Sequence, residues 1–97
     1  MKNITIVIVS HNRVDTLSNL FELLIRADYS GLEVNLVISI DYSGHQDVYD
    51  LADCFDWVHG EKIIIKHEKN LGLRHHILFC GDLSLQYDSV IILEDDL

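Results

Sequence analysis

Three consecutive carboxylates, Glu94-Asp95-Asp96, follow the apolar run Val90-Ile91-Ile92-Leu93 without a break. The β-branched run reads as a short buried strand. Three acids cannot share a dry core, because each unpaired buried charge is too costly. They must face water, a cation or the donor groups of a ligand at the strand's C-terminal end. Other polar segments recur in the same position, directly after an apolar run. They are Ser10-His11-Asn12-Arg13, Asp41-Tyr42-Ser43-Gly44-His45 and His67-Glu68-Lys69-Asn70-Leu71-Gly72. A site made of these pieces needs elements that bring all their strand ends to one place.

The apolar periodicity supplies such elements. Residues 4–9 form a nearly continuous Ile/Val run, the pattern of a strand covered on both faces. Val14, Leu17, Leu20, Phe21, Leu24 and Ile25 then fall on one helical stripe. Asn12 is the expected N-cap, with Asp15 in the capping-box position, and Tyr29-Ser30-Gly31 is the expected stop. Residues 34–40 are a second strand, and the Ser43 and Gln46 spacing predicts a capping box opening a second helix. Val48, Leu51, Ala52 and Phe55 are its expected buried stripe, with His59-Gly60 ending it. Residues 63–65 form a third strand, 73–86 a third helix and 89–93 a fourth strand. Gly81 inside the third helix suggests a close helix–sheet approach. The order is βαβαβαβ with strands too apolar for a half-solvated antiparallel sheet. That predicts a three-layer α/β fold, Rossmann-like, with a parallel sheet and right-handed helical crossovers. In such a sheet all strand C-termini share one edge, and ligands bind there.

Composition narrows the classes. The 97 residues, 48% hydrophobic and 24% charged, fit one soluble globular domain spanning the whole chain. A formal net charge of −9 argues against a nucleic-acid surface or a polybasic membrane patch. No apolar run approaches the roughly 20 residues of a transmembrane segment. Met1-Lys2-Asn3-Ile4 leads straight into a strand, so no cleaved signal peptide is expected and the expected compartment is the cytoplasm. A peripheral membrane association through segments outside these residues is the alternative. Cys54 and Cys80 read as reduced core thiols. There is no G-x-G-x-x-G after the first strand, no phosphate-binding G-x-x-x-x-G-K-[ST] and no G-x-S-x-G nucleophile elbow. A phospho-acceptor receiver would want acids where Ser10-His11-Asn12 and His67-Glu68 stand.

What remains is an Asn-Arg pair opening the first helix, an Asp ending the second strand, Asn70-Leu71-Gly72 after the third, and an acidic triplet ending the fourth. In this order they resemble the N-terminal half of a GT-A-fold glycosyltransferase. Its short acidic DXD motif here reads Glu94-Asp95-Asp96. With Val37-Ile38-Ser39-Ile40-Asp41-Tyr42-Ser43-Gly44-His45 upstream, the chain is most similar to the N-acetylglucosaminyltransferase I family and to family 2 glycosyltransferases. The resemblance covers essentially the whole chain. It implies a nucleoside-diphosphate sugar donor, typically a UDP-sugar, and a carbohydrate or glycoconjugate acceptor whose hydroxyl attacks with inversion. It also implies Mn²⁺ or Mg²⁺ as cofactor, with Asp96 ligating the metal and Asp95 and Glu94 contacting the ribose or sugar. Asp41 would accept from the uracil imide, and Arg13 would contact the nucleotide. From position alone, Ser10 and Asn12 lie close enough to touch the nucleotide, and Arg74 to meet a phosphate. In these families the catalytic base lies downstream of the acidic motif. The expectation is therefore the N-terminal part of a longer enzyme, with no catalytic base within these residues.

The cofactor also makes physical sense. An acidic chain repels a diphosphate, and a divalent cation held by hard oxygen ligands bridges the two. The same ion stabilises charge developing on the departing nucleoside diphosphate. Each residue has a plainer reading as well. The triplet could be a solvated strand end, Asp41 a turn cap with Ser43, and Arg13 an ion-pair partner of Asp15 or Asp41. Arg74 could be an ordinary surface arginine. His75-His76 point in different directions on a helix, which favours structural or solvated histidines over a zinc pair. Two other functional classes stay open: a non-catalytic nucleotide- or metal-binding module, and an acidic protein-interaction domain.

Overall fold

The computed structural model describes residues 4–42, 46–83 and 89–94, and for Leu73, Arg74, Ile77 and Leu83 the backbone alone. The elements follow in the order β1 (Ile4–Ser10), α1 (Val14–Arg26), β2 (Val34–Ile40), α2 (Gln46–Cys54), β3 (Lys62–Lys66), α3 (Gly72–Leu83) and β4 (Ser89–Glu94). All strand pairings are parallel, and the sheet runs β3-β2-β1-β4. The α/β class and the helix-between-strands order match the sequence reading.

The crossovers explain which face each helix covers. From β1 to β2 to β3 the chain steps in one direction, and from β3 to β4 it jumps back past β1. Right-handed connections that run in opposite directions must lie on opposite faces. Accordingly, Leu17, Phe21 and Leu24 of α1 and Val48 and Ala52 of α2 pack on Ile6, Ile8, Leu36, Ile38 and Ile40. On the other face, Cys80 and Phe79 of α3 pack on Val7, Val9 and Val37. Alternate residues of the two central strands thus feed two separate cores, which is why both strands are apolar at most positions.

The outer strands are finished differently. Lys62 of β3 donates to the carbonyls of Ala52, Asp53 and Phe55 at 2.9, 3.1 and 2.7 Å. It thereby closes the C-terminal end of α2, whose own last turn carries no basic residue. Lys66 pairs with Asp53 at 3.0 Å. Lysines at both ends of β3 also suit an edge strand. On β4, Ile91 and Ile92 remain 50% and 39% exposed.

Several local expectations change. The N-cap of α1 is Arg13, not Asn12, and it makes no side-chain cap bond; Thr16 Oγ1 donates to the Arg13 carbonyl instead. The helix stops at Arg26, before Tyr29-Ser30-Gly31, and Ile25 is exposed, so the buried stripe ends at Leu24. The second helix ends at Cys54, well before His59-Gly60, because Trp57 turns inward. Its indole N–H donates to the Val34 carbonyl at 2.8 Å, and Phe55 stacks on Phe21. Cys54 is exposed, while Cys80 is buried as expected. A Cβ on Gly81 would meet nothing within 4 Å, so no close sheet approach explains that glycine. Gly60 is the tight position: a Cβ there would run into the Val34 carbonyl and lie 2.9 Å from Asn35 Oδ1. The Ser43 cap and residues 84–86 of the expected third helix lie outside the described residues.

These two glycines should therefore respond with opposite signs. Gly60→Ala forces the β2 entry apart and is expected to lower stability by about 1–3 kcal/mol. Gly81→Ala, with open space and a helical backbone, should raise it by about 0.5–1 kcal/mol. Urea midpoints of the two variants against the parent chain measure both.

Candidate functional site

Because β1 and β4 are neighbours but the crossover that leaves β1 through α1 and the one that reaches β4 through α3 lie on opposite faces, the sheet's topological switch point lies between them. That is where an open parallel sheet has room for a ligand. The register pairs Val9 with Glu94, so the acid that ends β4 sits one residue short of Ser10 on the adjacent strand. Asn12 and Arg13 follow Ser10 and are exposed, while the Ser10 side chain is buried at the strand end. Among the described residues the ion pair is Lys66–Asp53, so Arg13 is not held by Asp15 or Asp41. Asp95 and Asp96 lie outside the described residues, as do Ser43 and His45, and of Arg74 only the backbone position in the first turn of α3 is given. Among the described residues no group of three or more His, Cys, Asp or Glu could hold a metal ion.

The loops along this edge are tied to one another past the ends of the strands. The Asp41 N–H donates to the Ser10 carbonyl at 2.9 Å, and the His67 N–H to the Ile40 carbonyl at 3.0 Å. Asn70 folds its own turn, with its Oδ1 accepting from Gly72 N–H at 2.8 Å. Its amide also reaches His11 Nε2 at 3.5 Å. Gly72 holds a left-handed φ of 75°, which allows this turn to enter α3.

Asp41 has the most committed carboxylate of the group. It is 2% exposed. Its Oδ1 accepts from Leu71 N–H at 2.7 Å and from its neighbour Tyr42 N–H at 2.9 Å, and its Oδ2 from Gly72 N–H at 3.0 Å. A carboxylate offers about four acceptor positions, and among the described residues these bonds occupy three of them. Buried charge is tolerated here because charge-assisted bonds to backbone donors replace water. Asp41 thus fastens the start of α3 to the end of β2; the turn with Ser43 lies outside the described residues.

A second polar group sits one residue pair deeper on the same face. Ser39 Oγ lies 2.9 Å from His67 Nε2 and 2.8 Å from His76 Nε2. Ser39 and His76 are fully buried, whereas His67 is half-buried. His75 turns the other way, its Nδ1 3.2 Å from the Leu71 carbonyl, so the two adjacent histidines do diverge. Burial lowers the proton affinity of His76 below the ordinary imidazole value of 6.5; His67 and His11 add to this, and Asp41 opposes it. Burial likewise raises the Cys80 thiol, against a hydrogen bond with Ser39. This cluster was not singled out from the sequence. The available signal was Ser39 itself, a hydroxyl inside an apolar strand that must find a partner.

The sequence-nominated residues thus separate into groups. Glu94 ends β4 beside Val9, and the exposed Asn12 and Arg13 lie in the loop that follows β1, while Ser10 and Asp41 are buried at the ends of β1 and β2. A groove of about 270 Å³ between α1 and α2, lined among others by Phe21, Ile25, Leu51 and Phe55, contains none of them. No family model, curated protein or solved structure matches the chain. Among the described residues no helix is long and apolar enough to cross a membrane.

Two expected outcomes follow from these buried charges. Asp41→Asn keeps the shape but sets an amide N–H₂ against backbone donors, and should lower unfolding free energy by about 2–4 kcal/mol in urea titrations. For His76, the folded-state value lies below the unfolded one, so between them the unfolded chain binds more protons. The stability this imidazole confers is present above about pH 6.5 and is lost as pH falls through the lowered folded value. Urea midpoints from about pH 7.5 down to about pH 5 should decline, and His76→Gln should flatten that decline.

Proposed function

We propose that this domain is the donor-binding half of a metal-dependent, inverting glycosyltransferase of the GT-A type. It binds a nucleoside-diphosphate sugar, a UDP-sugar in the first instance, for transfer to a hydroxyl of a carbohydrate or glycoconjugate acceptor. The observation that supports the reading is the Val9–Glu94 register, which ends β4 in the first acid of the triplet next to β1, the strand whose following loop carries the exposed Asn12 and Arg13.

The donor set suits the proposed cofactor. Carboxylate oxygens with no thiolate among them favour Mn²⁺ or Mg²⁺ over softer metals. Asp96 would hold the ion, which supplies Lewis-acid stabilisation of the departing diphosphate. Glu94 and Asp95 would face the ribose or sugar. Arg13 and Asn12 would engage the nucleotide, and Arg74 would meet a phosphate. A uracil contact by Asp41 would have to use what the backbone bonds to Tyr42, Leu71 and Gly72 leave of its acceptor capacity. Its larger role in this reading is to hold residues 67–72 in place, and Ser10 shapes the same edge from within.

Calorimetry with a UDP-sugar, with and without Mn²⁺, tests this directly. Binding should require the metal, disappear in Asp96→Ala and weaken about tenfold in Arg13→Ala, the loss of one charge-assisted contact. Absence of heat in both conditions, or unchanged binding by Asp96→Ala, would sink the metal-bridge reading. Metal-independent nucleotide binding would instead favour a non-catalytic nucleotide-binding module.

A further inference from the structure

We infer that Ser39, His67 and His76 form a proton-operated clasp that positions the turn between β3 and α3 at the sheet's C-terminal edge. The clasp holds while at most one of the two imidazoles is charged and opens when both are charged.

The geometry carries the argument. One hydroxyl lies within hydrogen-bond distance of both Nε2 atoms, at 2.9 and 2.8 Å, and the two rings meet edge to face with centroids 5.1 Å apart. A serine hydroxyl has one proton to donate and two lone pairs. With both rings neutral, one Nε2–H donates to Oγ and the Oγ–H donates to the other Nε2. Adding one proton leaves that chain complete whichever ring carries it, because the charged ring donates and the neutral ring accepts. With two protons, neither Nε2 can accept. The Ser39 proton then loses both imidazole acceptors, the Cys80 thiol beside it is a weak one, and two like charges share a buried site.

The surroundings decide where the second proton is tolerated. From β2, Asp41 faces His76 with a negative charge, and from the loop after β1 His11 faces it; the turn contributes His67 and α3 contributes Cys80. On β1 the residues of this face are Val7 and Val9, and on β4 Glu94 lies beside Val9. Burial is the largest influence, and it acts against the charged form of His76. The second proton is therefore taken most readily by an open state in which His76 reaches water.

Opening matters because the same turn supplies the other tethers of the edge. Leu71 and Gly72 donate to Asp41, and Asn70 reaches His11. Losing the Ser39 anchor removes the side-chain tether at one end of residues 67–72 and leaves there the backbone bond of His67 to the Ile40 carbonyl. Ser39, His67 and His76 are thus positioning residues, and none of them needs to touch a ligand.

Hydrogen exchange of the ligand-free chain tests the clasp independently of the glycosyltransferase reading. After correction for intrinsic exchange chemistry, the Leu71 and Gly72 amides should exchange at least about tenfold faster at about pH 5 than at about pH 7.5. The Val7 and Val37 amides of the central strands should show no such step. His67→Gln, at the solvent-facing end, keeps a hydrogen-bonding group that does not titrate, and should abolish the step while leaving the protection at neutral pH. His76→Gln provides the same test from the buried side. Equal protection of Leu71 and Gly72 at both pH values in the parent chain would overturn the clasp, as would a step that persists in both variants.

Discussion

A buried negative charge at the end of β2 sets the terms for the whole C-terminal edge. Asp41 is almost inaccessible to water, so it stays ionised only if backbone donors surround it. Tyr42, Leu71 and Gly72 provide them, and in doing so fix residues about thirty positions apart. Removing either side is unfavourable in a specific way: without Asp41 the α3 entry has unpaired N–H groups, and without the turn the carboxylate is stranded. The turn, the first turn of α3 and the β2 end therefore behave as one unit. Lys62 does comparable work at the opposite end of the domain, where one ammonium gathers the last carbonyls of α2.

The second constraint is topological. A parallel sheet in which the chain first steps one way and then jumps back must have helices on both faces and a gap where the directions diverge. Here the gap lies between β1 and β4. The register places Glu94 there together with the segment that ends in Asn12 and Arg13, although these segments are eighty residues apart in the chain. On the β1 side of the pairing Glu94 meets the apolar Val9.

Most of the architecture was legible because it rests on local periodicity. Ile/Val runs and helical stripes gave seven elements in the right order and the parallel α/β class. Boundaries shifted where long-range packing overrode local signals. Trp57 turns in to reach Val34, and that contact ends the second helix earlier than His59-Gly60 would suggest. Strand order was not legible, since the return of β4 to the far side of β1 depends on which way the last crossover runs. The role of Asp41 was hidden for a different reason. Its partners are backbone N–H groups, which carry no residue-type signature, so an acid after a strand reads equally well as ligand contact or as cap. His67 and His76 were visible as histidines, yet only the fold brings them to the same hydroxyl.

These supports also restrict how an anion could be accommodated at the edge. A helix N-terminus is the usual place for a phosphate, because its first N–H groups are unpaired and its dipole is positive there. At α3 that position is already taken: the Asp41 carboxylate accepts from Leu71 and Gly72 and brings its own negative charge. At α1 the N-cap is Arg13, with no side-chain cap and with a cationic side chain exposed to solvent. On the glycosyltransferase reading, a diphosphate would be repelled from the α3 entry and drawn toward the β1–α1 corner, across from Glu94. One arginine and one helix end cannot offset a ligand of several negative charges beside a run of acids, within a chain of net charge −9. On that reading a bridging divalent cation would offset the imbalance, independently of the spelling of the acidic motif.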